Sequence, residues 1–150
     1  MNIYKQFIII ISLFSFMTIH AQDLENHRWE DRILIIKTTS IASKTYQAQR
    51  KQFEASQEAL KERKFVVYTI IGEDFELINY QNRKLNTSGK ITGKLAKILH
   101  NNEDFEVILI GLDGGIKLRQ TKILTKEELF RIIDSMPMRR SEMRKKKTKS

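Results

Sequence analysis

The residues best equipped for chemistry lie near the C-terminus, in Asp134-Ser-Met-Pro-Met-Arg-Arg-Ser-Glu-Met143. Arginine forks grip carboxylates, sulfates or phosphates through paired N–H bonds, and methionine side chains adapt to varied surfaces. Stopping the preceding helix requires only Pro137, which leaves the neighbouring residues to be explained. Two readings stand side by side. In one, Arg139 or Arg140 folds back onto Asp134 or Asp113 and locks the C-terminus. In the other, Asp134, Met136, Met138, Arg139, Arg140 and Glu142 form a site for a partner. A second group is Trp29 with Arg28 and Arg32. An exposed Trp beside arginines anchors many interfaces, although a Trp ahead of a strand also packs over a sheet edge with Arg stacked on its ring. Lys117 and Arg119 offer charge for an anion, but outward cations equally protect an edge strand from pairing with another chain. Asp113, within Leu112-Asp-Gly-Gly115, reads as a turn residue.

Thiol redox and peroxide reduction are excluded outright, because the chain contains no cysteine. Ser40 and Ser43 supply hydroxyls after the first strand, yet the sequence sets no base beside either, and an alcohol needs one to attack. Capping of the next helix accounts for both. His27 and His100 are read as isolated histidines rather than as members of a metal-ligand set. The tetrapeptide Glu-Asp-Phe-Glu, beginning at Glu73 and again at Glu103, has the acidic character common to loops that flank strands. No catalytic residue, metal or cofactor is therefore assigned.

The elements that must hold these residues follow from patterning. Arg32 to Lys37 and Phe65 to Ile71 are continuous apolar runs, the mark of strands buried on both faces. Between them Lys44 to Lys64, free of Gly and Pro, carries Tyr46, Phe53 and Leu60 at heptad spacing and is read as one amphipathic helix. Strand, helix, strand predicts a right-handed crossover with the strands parallel. Gly72 to Gly89 gives no clear pattern. Ile91, Leu95, Ile98 and Leu99 predict a short helix ending near Asn101, and Glu106 to Ile110 a third buried strand. Asp-Gly-Gly then turns the chain into an alternating edge strand, Ile116 to Arg119. Thr125 and Glu128 form a capping box ahead of Leu129, Ile132, Ile133 and Met136. The order β-α-β-α-β-β-α is that of an α/β, thioredoxin-like fold with a four-stranded mixed sheet, its first and third strands central.

The first 21 residues have the layout of a signal peptide: Lys5, an apolar stretch from Phe7 to Ile19, and Ala21 at the cut. That stretch is shorter than the roughly 20 residues a bilayer span needs, and a lipidated form is excluded by the lack of cysteine. Charge divides unevenly. Residues 22–138 hold 19 Lys and Arg against 17 Asp and Glu, whereas residues 139–150 hold seven basic residues and only Glu142. The basicity belongs mostly to the tail, and residues 144–150 are expected to be a disordered basic extension.

Several stretches are similar to one family. His27-Arg-Trp-Glu-Asp-Arg-Ile-Leu34, Glu62-Arg63, Phe105 to Arg119 and Ile133 to Met143 resemble the domain-of-unknown-function family 4174, a thioredoxin-like group of exported bacterial proteins with related domains in vertebrate sushi-repeat matrix proteins. The chain departs from that pattern at Lys64, where the family tends to carry an acidic residue. The resemblance implies one domain over residues 22–143 and export to a secreted or periplasmic location. The expected role is that of a non-catalytic interaction or structural domain whose partner, a protein or polyanion, lies outside the cytoplasm. Neither specific nucleic-acid recognition nor a membrane span after cleavage is expected. The alternatives are an enzyme with a non-thiol mechanism and a polyanion binder acting through the basic tail.

Overall fold

The computed structural model describes residues 24–91 and 93–148. The expected signal segment, residues 1–21, lies outside the described residues. Six strands form one sheet: β1 (Arg32–Thr38), β2 (Phe65–Ile71), β3 (Asp74–Asn79), β4 (Thr87–Lys90), β5 (Phe105–Ile110) and β6 (Ile116–Gln120), in the spatial order β4-β3-β2-β1-β5-β6. Only β1 and β2 run parallel, with Arg32 opposite Phe65 and Thr38 opposite Ile71. Every other neighbouring pair is antiparallel. The sheet is thus mixed, as expected, but has six strands rather than four. The two additional strands come from the stretch that sequence patterning left unread. Residues Phe75, Leu77 and Asn79 point inward from β3 while Asp74 and Glu76 stay exposed, so its alternation is real but short.

Helices cover both faces. Tyr46 and Phe53 from α1 (Lys44–Glu54), Leu60 from α2 (Gln57–Glu62), and Leu129 and Ile133 from α4 (Lys126–Ser135) pack on Leu34, Ile36, Val67, Val107 and Leu109. On the opposite face, Leu95 of α3 (Gly93–Ile98) and Leu99 cover Ile33, Ile35, Tyr68, Ile70 and Ile108. Neither cluster leans on a crosslink; apolar burial at about 25 cal/mol per Å² supplies the drive.

Three local expectations need correction. The stretch Lys44–Lys64 is two helices, broken at Ala55 and Ser56, where the Ala55 N–H turns to the Phe53 carbonyl and Ser56 is buried. The heptad residues Tyr46, Phe53 and Leu60 stay buried across that break, so the apolar stripe survives without a continuous helix. Pro137 does end α4, but it also starts α5 (Pro137–Thr148) at the first-turn position that tolerates a missing N–H. The basic extension expected to be disordered from residue 144 is helical through Thr148. The capping box at Thr125 forms as expected, its hydroxyl accepting from the Glu128 N–H.

Candidate functional site

The segment entering β1 is a short 3₁₀ turn, Leu24–His27, followed by a sharp bend at Trp29. Trp29 takes a φ of 69°, a left-handed backbone that an aromatic side chain seldom adopts, and its N–H donates to the Leu112 carbonyl at 2.7 Å. The indole is 56% exposed, with the Arg28 guanidinium 5.5 Å from the ring centre. The Arg28 side chain also lies over Gly114 in the β5–β6 turn. In that turn Lys117 pairs with Asp113 at 2.6 Å. This lysine, helped by the Gly115 N–H, holds the Asp113 carboxyl below its ordinary pKa. The structure therefore brings Arg28, Trp29 and the Asp113–Lys117 turn together on one surface. It separates Arg32, which is turned into the protein.

His27, on the inner side of the same bend, is fully engaged. Its Nδ1 meets Asp31 at 2.9 Å and its Nε2 meets the buried Tyr68 hydroxyl at 2.9 Å, the two rings lying edge to face. A general base must lie within hydrogen-bond reach of the reacting group's proton. The hydroxyl on His27 Nε2 belongs to the fully buried Tyr68, so the Asp31–His27–Tyr68 chain anchors the bend to β2.

Beside this bend opens a cleft of about 940 Å³. Asn26, His27, Glu30 and Asp31 line it from the bend, Leu77 and Asn79 from β3, and residues 81, 82 and 84–87 from the loop and strand beyond, together with Lys64. The amides build their own loop. The Asn79 side-chain oxygen accepts from the Gln81 and Asn82 N–H groups, Asn86 accepts from the Asn79 N–H, and Asn82 caps the 3₁₀ turn Arg83–Leu85. Lys64, at a φ of 55°, ends α2 while its carbonyl receives the Arg32 N–H. Leu85 is largely exposed. A concave space of this size, partly apolar and ringed by polar groups, is the usual form of a ligand site. Sequence reading missed it, because most of its lining comes from the unpatterned stretch; the recurrence of Asn79, Asn82 and Asn86 was the signal to use.

The C-terminal candidates divide as well. Arg139 is 4% exposed and meets Asp134 at 3.1 Å, Glu62 at 3.1 Å and Glu142 at 3.5 Å. Arg63 reaches Asp134 at 2.6 Å and lies over the Phe130 ring. Arg32, 1% exposed, pairs with Glu142 at 3.2 Å and donates to the Arg63 carbonyl, its Nε being left without a partner. Lys146 adds a bond to Glu62 at 3.3 Å. Hydrogen bonding from Arg139 holds the Glu62 carboxyl below its ordinary pKa. Burial pushes Asp134 up, but bonds from Arg63 and Arg139 outweigh it and the carboxyl ends low. Burial likewise opposes the charge on Arg139, and its carboxylates raise its pKa regardless. Arg140 and Met138 face solvent, whereas Met136 packs against the core.

The remaining candidates have structural partners. Arg119 is not a solvated edge cation: it bonds to the fully buried Glu106 and to the Ile98 carbonyl at the end of α3. His100 also meets Glu106, at 3.0 Å. Ser43 caps α1, and the Ser40 hydroxyl accepts from the Ala42 N–H. Among the described residues, no group of three His, Asp or Glu is placed to hold a metal, and no helix is long and apolar enough to cross a membrane.

These contacts draw together stretches far apart in the chain: Arg32 at the head of β1, Glu62-Arg63 and the segment from Asp134 to Glu142. The model of the family described as domain of unknown function (DUF4174) matches residues 23–142. The chain belongs to that family. The DUF4174 match takes in the bend at Trp29, the cleft and the ionic cluster through Glu142, and it stops short of Arg144 to Thr148. No curated protein and no solved structure matches the chain.

Proposed function

We propose that this DUF4174 domain is an exported, non-catalytic binding module on a thioredoxin-like core, holding its ligand in the cleft lined by Asn26, His27, Glu30 and Asp31. The observation that carries the reading is the cleft itself, an open space of about 940 Å³ whose one histidine is bonded to Asp31 and to the fully buried Tyr68 hydroxyl. The order β2-β1-β5-β6, with the parallel pair made by a helical crossover, supports the thioredoxin-like core, with the β3–β4 hairpin added beyond β2. The absence of cysteine removes the chemistry usual to such a core.

Trp29 is the only tryptophan and reports on its own surroundings. Titrating the mature protein with panels of short peptides, oligosaccharides and small metabolites, while following Trp29 emission and the melting temperature, tests the reading. A ligand that shifts the emission, raises the melting temperature and is recovered chemically unchanged supports it. Turnover of a bound ligand that disappears in His27→Gln would instead establish an enzyme.

A further inference from the structure

We propose that the outer face of α5 is a second binding surface, separate from the cleft, and that it takes an acidic polysaccharide. The helical repeat sorts its residues onto opposite sides. Arg139 and Glu142 face the protein within the ionic cluster, and Lys146, though exposed, is paired with Glu62. Arg140, Arg144 and Lys147, spaced i, i+4 and i+7, project into solvent. Among the described residues none of these three lies within ion-pair distance of a carboxylate.

Helix stability does not explain that stripe. The negative end of a helix welcomes cations, which accounts for Lys147, but the positive end repels them. Arg140 sits in the first turn of α5 with no carboxylate to offset that repulsion, unlike its neighbour Arg139. The three charges span only about 10 Å at 1.5 Å per residue, comparable with the Debye length of about 8 Å at physiological ionic strength, so they act as one field.

The shape narrows the partner. Arg140, Met143, Arg144 and Lys147 line a shallow depression of about 230 Å³ whose surface is almost wholly carbon. Its volume equals that of roughly eight waters at about 30 Å³ each, room for one sugar ring. A ring resting on Met143 and the arginine stems would place sulfates or carboxylates against the cationic heads, where Arg binds them bidentately. A membrane surface fits less well, because an interfacial helix needs a broad apolar face and Met138 points away from this one. Single-stranded nucleic acid fits less well too, since α5 has no aromatic residue on which bases stack.

Heparin, a sulfated polysaccharide, serves as the probe, with binding to the mature chain measured across a salt series. The variant Arg140→Ser/Arg144→Ser/Lys147→Ser is compared with Lys44→Ser/Lys51→Ser/Lys122→Ser, which removes equal charge from exposed positions elsewhere. By analogy with the roughly 0.7–0.9 slope per contact known for nucleic acids, the α5 variant should lower the slope of log K against log salt by about 2. Its affinity near 0.1 M salt should fall at least tenfold, against less than threefold for the control, with melting temperatures unchanged. Met143→Ser should weaken binding without altering the salt slope. Equal losses in the α5 and control variants would reduce the effect to net charge and overturn the proposal. So would tighter binding to anionic lipid vesicles or to single-stranded DNA than to heparin.

Discussion

Arg139 and Arg140 are neighbours in sequence and opposites in setting. Removing one partner of a buried pair strands the other charge, at about 3–5 kcal/mol when both are dry. Here Glu62, Asp134 and Glu142 keep part of their surface in water. Arg139→Ala should therefore cost about 2 kcal/mol, and Arg140→Ala less than about 0.5 kcal/mol, as for other surface changes. Thermal melts of both variants check this; equal melting temperatures would defeat the lock. Tyr68→Phe leaves the His27 Nε2 without its partner and should cost about 1–2 kcal/mol, read from the same melts. How much was legible at this scale follows sequence distance. The fold-back of Arg139 onto Asp134 could be read five residues apart, and Arg28 over Trp29 from adjacency. Arg32 with Glu142 could not, because a pairing across 110 residues exists only once the sheet has placed both ends.

Helix α5 is held by charge more than by apolar contact, since Arg139 is its one buried residue. Its docking should therefore respond to pH. Glu62 and Asp134 both have folded pKa values below their ordinary 4.5 and 3.8. A depressed carboxyl adds stability that is complete above the unfolded value and vanishes as pH falls through the folded one. The melting temperature should thus stay level down to about pH 5 and decline below it, and Arg139→Ala should flatten that decline; circular dichroism melts between pH 7 and 3 measure both. Elements with a full apolar signature, β1, β2 and β5, were readable from sequence to within a residue. The β3–β4 hairpin was not, because β4 (Thr-Ser-Gly-Lys) has no apolar residue and owes its strand to pairing with β3 alone. The break between α1 and α2 was equally silent, since neither Gly nor Pro marks it and Ser56 is fixed by burial. The helical course of residues 144–148 went unread for the same reason: composition predicts solvation, and only the bond of Lys146 to Glu62 shows an attachment.

For the molecule as a whole, the proposed export makes a direct prediction. The protein recovered from an extracytoplasmic fraction should begin near Gln22 by mass spectrometry, and recovery of a membrane-bound chain starting at Met1 would mean that the segment stays as an anchor. The sheet adds a constraint of time. Its central strand β1 needs β5 on one side, some 70 residues later, and Arg32 at its head needs Glu142. At synthesis rates of about 5–20 residues per second, Arg32 precedes Glu142 by roughly 5–20 seconds. For most of that interval, until β5 (Phe105–Ile110) has been made, the strand that will be central has only its parallel neighbour β2 available, and pairing of distant strands is the slow part of folding. The sheet cannot be completed before β6 ends at Gln120, and the ionic cluster cannot be completed before Glu142 is made. Under the proposed export such a delay favours passage through a narrow channel, because a contact that completes the fold is among the last that the ribosome supplies.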